Sequence, residues 1–126
     1  MIVADTDALI DFLAGQGTLA ERVEREIHVG GLATTVVSRF ELLAGARSRA
    51  QQKLVHDLLE ALHTLPLDRA AADRAAGVRR DLEVQGQGIG MADSLIAGIV
   101  LEHDGRLLTR NRRHFERVRG LTLVAP

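Results

Sequence analysis

Several carboxylates in this chain stand where a carboxylate is costly. Asp5 follows the apolar run Ile2-Val3-Ala4, with Asp7 beside it and Asp11 one helical turn later. Glu41 is embedded in Val36-Val37-Ser38-Arg39-Phe40-Glu41-Leu42-Leu43-Ala44, and Asp93 in Gly90-Met91-Ala92-Asp93-Ser94-Leu95-Ile96-Ala97. Each has an ordinary explanation taken singly. Asp5 and Asp93 can cap a helix or meet its dipole in the first turn, and Glu41 can pair with Ser38 in a capping box or face Arg39 or solvent. Taken together they are harder to explain, because a helix start needs one cap and clustered acids repel. A divalent cation removes that repulsion. Hard oxygen donors suit Mg²⁺ or Mn²⁺, and such an ion activates water and stabilises charge on a phosphoryl group. Charge of the opposite sign is gathered late in the chain, where residues 106–119 carry six arginines, among them Arg110, Arg112 and Arg113. That segment reads either as a phosphate-binding patch beside the acids or as a solvated arginine-rich surface.

The elements that must position these groups alternate between strand and helix. Ile2-Val3-Ala4 suits a buried central strand, and Leu9, Phe12 and Leu13 then recur at helical spacing up to Gly15 and Gly17. Thr18 and Glu21 have the spacing of a capping box ahead of Leu19, Val23 and Ile27, which predicts a second helix starting there and ending at Gly30-Gly31. Leu32-Ala33-Thr34 is a second strand, and residues 35–47 are helical. Residues 50–63 form an amphipathic helix with Leu54, Val55, Leu58, Leu59 and Leu62 on one face. Those leucines suit a core, a dimer face or a partner groove. Thr64-Leu65-Pro66-Leu67 is extended, and its proline places it at a sheet edge. Asp68 caps a long helix through Ala71, Ala75, Val78 and Leu82. A glycine-punctuated loop (Gly86, Gly88, Gly90) precedes a helix over about 91–102 that is apolar on nearly all sides and therefore buried. His103-Asp104-Gly105 turns the chain into a strand at Leu107-Leu108-Thr109. A loop and short helix run to Phe115, and Leu121–Val124 is a last strand. The alternation predicts an α/β fold, a three-layer α/β/α sandwich on a mostly parallel sheet, as one domain over residues 1–126. Ligands of such sheets bind at the carboxyl ends of the strands, the edge to which Asp5, Arg110 and Asn111 are delivered.

Composition removes other classes. There is no cysteine, which excludes disulfide scaffolds, thiolate metal sites and cysteine nucleophiles and fits a reducing, cytoplasmic setting. Three phenylalanines are the whole aromatic complement, too few for a base-stacking RNA platform. The longest apolar run, Leu95 to Leu101, is far short of the roughly 20 residues of a membrane span, and the acidic N-terminus is unlike a secretory signal.

With these residues in place, the sequence resembles the PIN-domain ribonucleases, in particular the VapC-type toxins of toxin–antitoxin pairs. Four segments carry the resemblance in order along the whole chain: Ile2 to Asp11, Ser38 to Gly45, Ala92 to Ala97, and Leu108-Thr109-Arg110-Asn111-Arg112-Arg113-His114-Phe115. The resemblance implies a metal-dependent endoribonuclease in which Asp5, Glu41 and Asp93 hold Mg²⁺ or Mn²⁺. A cognate antitoxin would block the site, and the protein would form a homodimer. Hydrolysis would proceed by in-line attack of water on a backbone phosphorus. Asp5 and Asp93 would contact the ion directly, and Glu41 directly or through water. Thr6 and Thr109 would orient these acids through hydrogen bonds, and Arg110, Arg112 or Arg113 would steer the RNA backbone. The family's last motif often carries an aspartate where this chain has His114. Asn111, Asp7 or His114 itself is then left to supply what that acid would.

Two other classes compete. Asp5-Thr6-Asp7-Ala8-Leu9 after an apolar strand also resembles the opening motif of haloacid-dehalogenase-type phosphatases. That family needs a later lysine and a paired acidic motif, whereas Lys53 is the only lysine here and lies on an amphipathic helix. A phosphoacceptor receiver domain fails for want of its strand-end lysine. Alternatively, with His114 in place of an acid, the chain would be a catalytically weak module that binds RNA or an antitoxin. Such a module gives no reason to keep Asp5, Glu41 and Asp93 clustered.

Overall fold

The computed structural model describes residues 1–126. Five short parallel strands make one sheet: β1 (Ile2–Ala4), β2 (Leu32–Thr35), β3 (His63–Leu65), β4 (Arg106–Leu108) and β5 (Thr122–Leu123), in the spatial order β3-β2-β1-β4-β5. The register sets Ile2 beside Leu32 on one side and beside Arg106 on the other. β1 is therefore central, and the chain winds outward from it in both directions. The point where the winding reverses lies between β1 and β4.

Side chains alternate across the strands and split the core in two. Ile2, Ala4, Leu32 and Leu108 face one way. They pack with Leu9 of α1 (Thr6–Ala14), Val23 of α2 (Gly17–Val29), Leu42 of α3 (Val36–Gly45) and Leu58 and Leu59 of α4 (Arg49–Glu60). Val3, Ala33 and Leu107 face the other way, against Ala71, Val78 and Leu82 of α5 (Arg69–Val84) and Ile96, Ile99 and Val100 of α6 (Met91–Glu102). A short α7 (Arg112–Phe115) buries Phe115 in this second layer. This is the expected three-layer α/β/α sandwich, with a fully parallel sheet. The Pro66 segment lies next to β3, the expected edge, and α6 is buried on most sides, as its composition predicts.

Some local expectations fail. The Thr18–Glu21 box does not form, because α2 starts at Gly17 with Gln16 as N-cap and no side-chain cap bond. The cap of α3 is Thr35, whose hydroxyl accepts the Ser38 N–H, so Ser38 and Glu41 are interior helical positions rather than a capping box. That helix ends at Gly45 rather than near Arg47. A capping box does stand at Ser48 and Gln51, ahead of α4. Leu54, expected on the buried face of α4, is 59% exposed, while Val55, Leu58, Leu59 and Leu62 are buried. β4 runs one residue earlier than expected, leaving Thr109 just beyond its end, and the last strand shortens to Thr122–Leu123. No helix is long and apolar enough to cross a membrane.

Candidate active site

Asp5 is the residue on which the site is built. The end of β1 delivers it and the start of α1 fixes it: as N-cap its Oδ1 accepts the Ala8 N–H at 3.0 Å. The ordinary capping role is therefore real, and it leaves the other oxygen available. Oδ2 accepts the Thr109 hydroxyl at 2.5 Å, from the residue after the neighbouring strand β4. Asp5 N–H in turn donates to the Leu108 carbonyl at 3.1 Å. The two strand ends on either side of the winding reversal are thus stitched together where parallel α/β sheets place their ligands.

Glu41 reaches the same place from α3. Its Oε1 accepts the Thr6 hydroxyl at 2.6 Å, and Thr6 Oγ1 also lies 2.9 Å from Ser38 Oγ. Each hydroxyl has one proton. Thr6 gives its proton to the carboxylate, Ser38 gives to Thr6, and the Thr35 hydroxyl, 3.4 Å from Ser38, completes a relay that fixes the orientation of Glu41. Ser38 and Thr35 are fully buried. Sequence reasoning placed Ser38 only as a cap partner and did not assign Thr35 a role. A run of hydroxyls at the end of β2 and the first turn of α3 was the available signal.

Asp93 enters from the first turn of α6, where the helix dipole favours it. Asp5, Thr6, Asp7, Glu41 and Asp93, with Ile10 and Ile96, line one open cleft of about 320 Å³. The expected acids, scattered over 88 positions of sequence from Asp5 to Asp93, therefore share one wall-to-wall site. The Asp5 carboxyl is raised from 3.8 to a net value of about 6, chiefly by burial. Within that net value the hydrogen bonds from Thr109 and Ala8 pull it down, and the charges of Asp7 and Asp93 add to the rise.

The last motif lies around this cleft with a division of labour. Asn111 N–H donates to Thr109 Oγ1 at 2.9 Å, holding the hydroxyl that serves Asp5. Asn111 Nδ2 and His114 Nδ1 are 2.8 Å apart, and that same Nδ1 is 3.4 Å from Asp93 Oδ2. Arg110 pairs with Asp11 at 2.7 Å and reaches Asp7 at 3.7 Å, so the surplus acids of α1 are balanced within the chain. Arg112 donates to the Val124 carbonyl at 2.9 Å and is committed to holding the C-terminal segment. Arg113 is exposed and makes no ion pair or side-chain hydrogen bond.

The donor set fits a hard divalent ion. It is all carboxylate, and burial, with a smaller part from neighbouring like charges that an ion would offset, raises the pKa of the buried member. No three acidic or histidine side chains stand grouped closely enough to hold a metal ion by themselves. An ion here would therefore keep waters in its shell, as Mg²⁺ does when one or two carboxylates hold it.

Comparison with known proteins gives the family. The family model of the PIN domain matches residues 2–121. Ribonuclease VapC10 of Mycobacterium tuberculosis is 34% identical over 115 residues, covering 91% of this chain and 86% of that protein. The tRNA(fMet)-specific endonuclease VapC of Shigella flexneri is 30% identical over 99 residues, 75% of each chain. Among solved structures, VapBC2 of Rickettsia felis bound to a promoter DNA fragment superposes with a TM-score of 0.84 at 22% identity, over 98% of both chains. At that identity the superposition speaks for the fold alone. The matched family model, the VapC relatives and the shared fold together establish that this chain belongs to the PIN-domain family, among the VapC ribonucleases.

Proposed function

We propose that the chain is a PIN-like endoribonuclease domain over residues 1–126, the toxin of a toxin–antitoxin pair, which hydrolyses RNA phosphodiesters with Mg²⁺ or Mn²⁺ in the acidic cleft. The observation that carries this reading is the convergence of Asp5, Glu41 and Asp93 on one cleft at the carboxyl edge of the sheet. Asp5 and Asp93 are the residues that would hold the ion directly, with Glu41 contacting it directly or through water. A bound ion supplies positive charge against the phosphoryl oxygens and makes a nearby water easier to deprotonate. The chain's own residues do the rest. Ala8 and Thr109 fix both oxygens of Asp5. Thr6 fixes Oε1 of Glu41, so Oε2 would be the oxygen to take the proton of the attacking water. Arg113 is the arginine of the last motif best placed to meet an RNA backbone, because Arg110 and Arg112 are engaged within the chain.

The partners follow from the same surface. Solved VapBC structures share this fold, and here an apolar groove lined by Ile10, Leu13, Leu42, Leu54 and Val55 has Glu41 in its wall. An antitoxin segment lying in that groove would reach the acids. On the other side of Glu41, the exposed Val36, Phe40 and Met91 border an apolar hollow that suits a second copy. We place the reaction in the cytoplasm, where RNA and antitoxin meet.

The test is cleavage of a mixed cellular RNA pool with Mg²⁺ or Mn²⁺, against EDTA and against Asp5→Asn purified identically. The expected result is cuts at defined sites that vanish in EDTA and in the variant. Cleavage that persists in Asp5→Asn at the wild-type rate would remove the assignment. Metal-independent RNA binding with no cuts would favour the binding-module reading.

A further inference from the structure

His114 stands where the sequence departs from its family, and its contacts are unusual. Nδ1 is 2.8 Å from Asn111 Nδ2 and 3.4 Å from Asp93 Oδ2. One ring nitrogen cannot serve both. With a bare lone pair it accepts from the Asn111 amide and turns that lone pair toward a negative carboxylate. With a proton it serves Asp93 over a long contact and confronts the Asn111 amide hydrogens. If the amide is turned over, the proton goes to Asn111 and Asp93 is left unserved. The separation of Nδ1 from Oδ2 is poor for a hydrogen bond, but it fits a different arrangement. Two donors each about 2.1 Å from one cation stand about 3.0 to 3.4 Å apart when the angle between them is about 90 to 110°.

We infer that His114 Nδ1 is a nitrogen ligand of the divalent ion held by Asp93, and that this ligand shifts the site's preference from Mg²⁺ toward Mn²⁺. The inference rests on the metal-dependent reading of the cleft. Its chemistry is that of the donor: Mg²⁺ takes oxygen ligands, whereas nitrogen donors bind the divalent first-row transition ions, of which Mn²⁺ is the weakest binder and the one closest to Mg²⁺ in its taste for carboxylate. The fold is consistent with the placement. His114 lies on α7, in the segment whose Thr109 orients Asp5, and the path Asp5–Thr109–Asn111–His114–Asp93 joins the two proposed ligands. The segment that fixes one carboxylate thus carries a nitrogen to the other. Asn111 is half-exposed, so its amide turns to water when Nδ1 is taken up.

The experiment is pulsed electron paramagnetic resonance of the Mn²⁺-loaded full chain, which detects a directly bound ¹⁴N nucleus without requiring turnover. The wild type is expected to show histidine nitrogen modulation that His114→Ala loses while keeping its fold. In a companion measurement Mg²⁺ displaces bound Mn²⁺. There His114→Asp is expected to lower the Mn²⁺-over-Mg²⁺ preference, because an oxygen donor replaces the nitrogen. Mn²⁺ bound in the wild type with no nitrogen modulation, or with modulation unchanged in His114→Ala, overturns the His114 assignment and leaves the nuclease reading standing. A wild type that binds no Mn²⁺ overturns both.

Discussion

Asp5 does two jobs at the scale of a single residue, and they pull its charge in opposite directions. As a helix cap and hydrogen-bond acceptor it favours ionisation, while burial and the neighbouring acids oppose it, and the net effect raises its carboxyl to about 6. The sign for stability follows. The protonated form is favoured in the folded state, so Asp5 costs nothing below about pH 4. The penalty grows as pH rises through about 6 and is then complete. The span from 3.8 to about 6 corresponds to at most about 3 kcal/mol. Asparagine caps helices as well as aspartate and carries no charge. Asp5→Asn, with chelator present, is therefore expected to be more stable than wild type at pH 7.5 and equal to it near pH 3.5. Denaturant melts at the two pH values check this, and a variant less stable at pH 7.5 would contradict it. Such a gain beside an expected loss of cleavage marks a residue kept for chemistry. Asp5, Glu41 and Asp93 were legible in the sequence because acids in apolar surroundings are conspicuous. The Thr35–Ser38–Thr6 relay was not, because hydroxyls at a strand end are common and only the fold brings Thr6 of α1 against α3.

Among the elements, the second core layer is set by the crossing of α5 and α6, and Gly98 is what lets them approach. A Cβ at that position would lie 2.6 Å from Ala75 Cβ and Ala75 N and 2.7 Å from the Ala71 carbonyl oxygen. Backbone stands on both of those approaches, so no side chain can swing clear. Alanine is the better helix former by about 1 kcal/mol, yet overpacking of this kind costs about 1–3 kcal/mol. Gly98→Ala is expected to lower the melting temperature and to disturb the first turn of α6, which holds Asp93. A melting temperature equal to or above wild type would contradict the close approach. This contact could not be read from sequence, since the small residues Ala71, Ala75 and Gly98 lie on two helices whose crossing is fixed only by the sheet between them and the other layer. Helix identities were legible from apolar spacing, and Asp68 from its position before α5. The failures were at helix starts, where Thr18 with Glu21 and Ser38 with Glu41 satisfy the capping pattern and local backbone geometry selects Gln16 and Thr35 instead.

For the whole molecule, the order β3-β2-β1-β4-β5 is what makes a site of distant residues. Because β1 and β4 are neighbours, Asp5 and Thr109 meet across 104 positions of sequence. The alternation of strands and helices announced a parallel sheet, but strand order is a matter of long-range packing that no local pattern encodes. The same order leaves Phe40, 71% exposed, and Met91, 65% exposed, bordering one apolar hollow next to Glu41. If that hollow joins two copies, Phe40→Glu is expected to convert a dimer to a monomer in light scattering. A wild-type monomer, or an unchanged dimer in the variant, would contradict the proposed pairing. In the proposed reaction water, activated in the carboxylate cleft, attacks phosphorus. This is tested most directly by cleaving RNA with the Mn²⁺-loaded protein in ¹⁸O-enriched water and reading the new fragment ends by mass spectrometry. One ¹⁸O is expected in the terminal phosphate at each cut. Ends that are 2′,3′-cyclic phosphates without the label would mean that the RNA's own 2′-hydroxyl attacks, and would contradict attack by water.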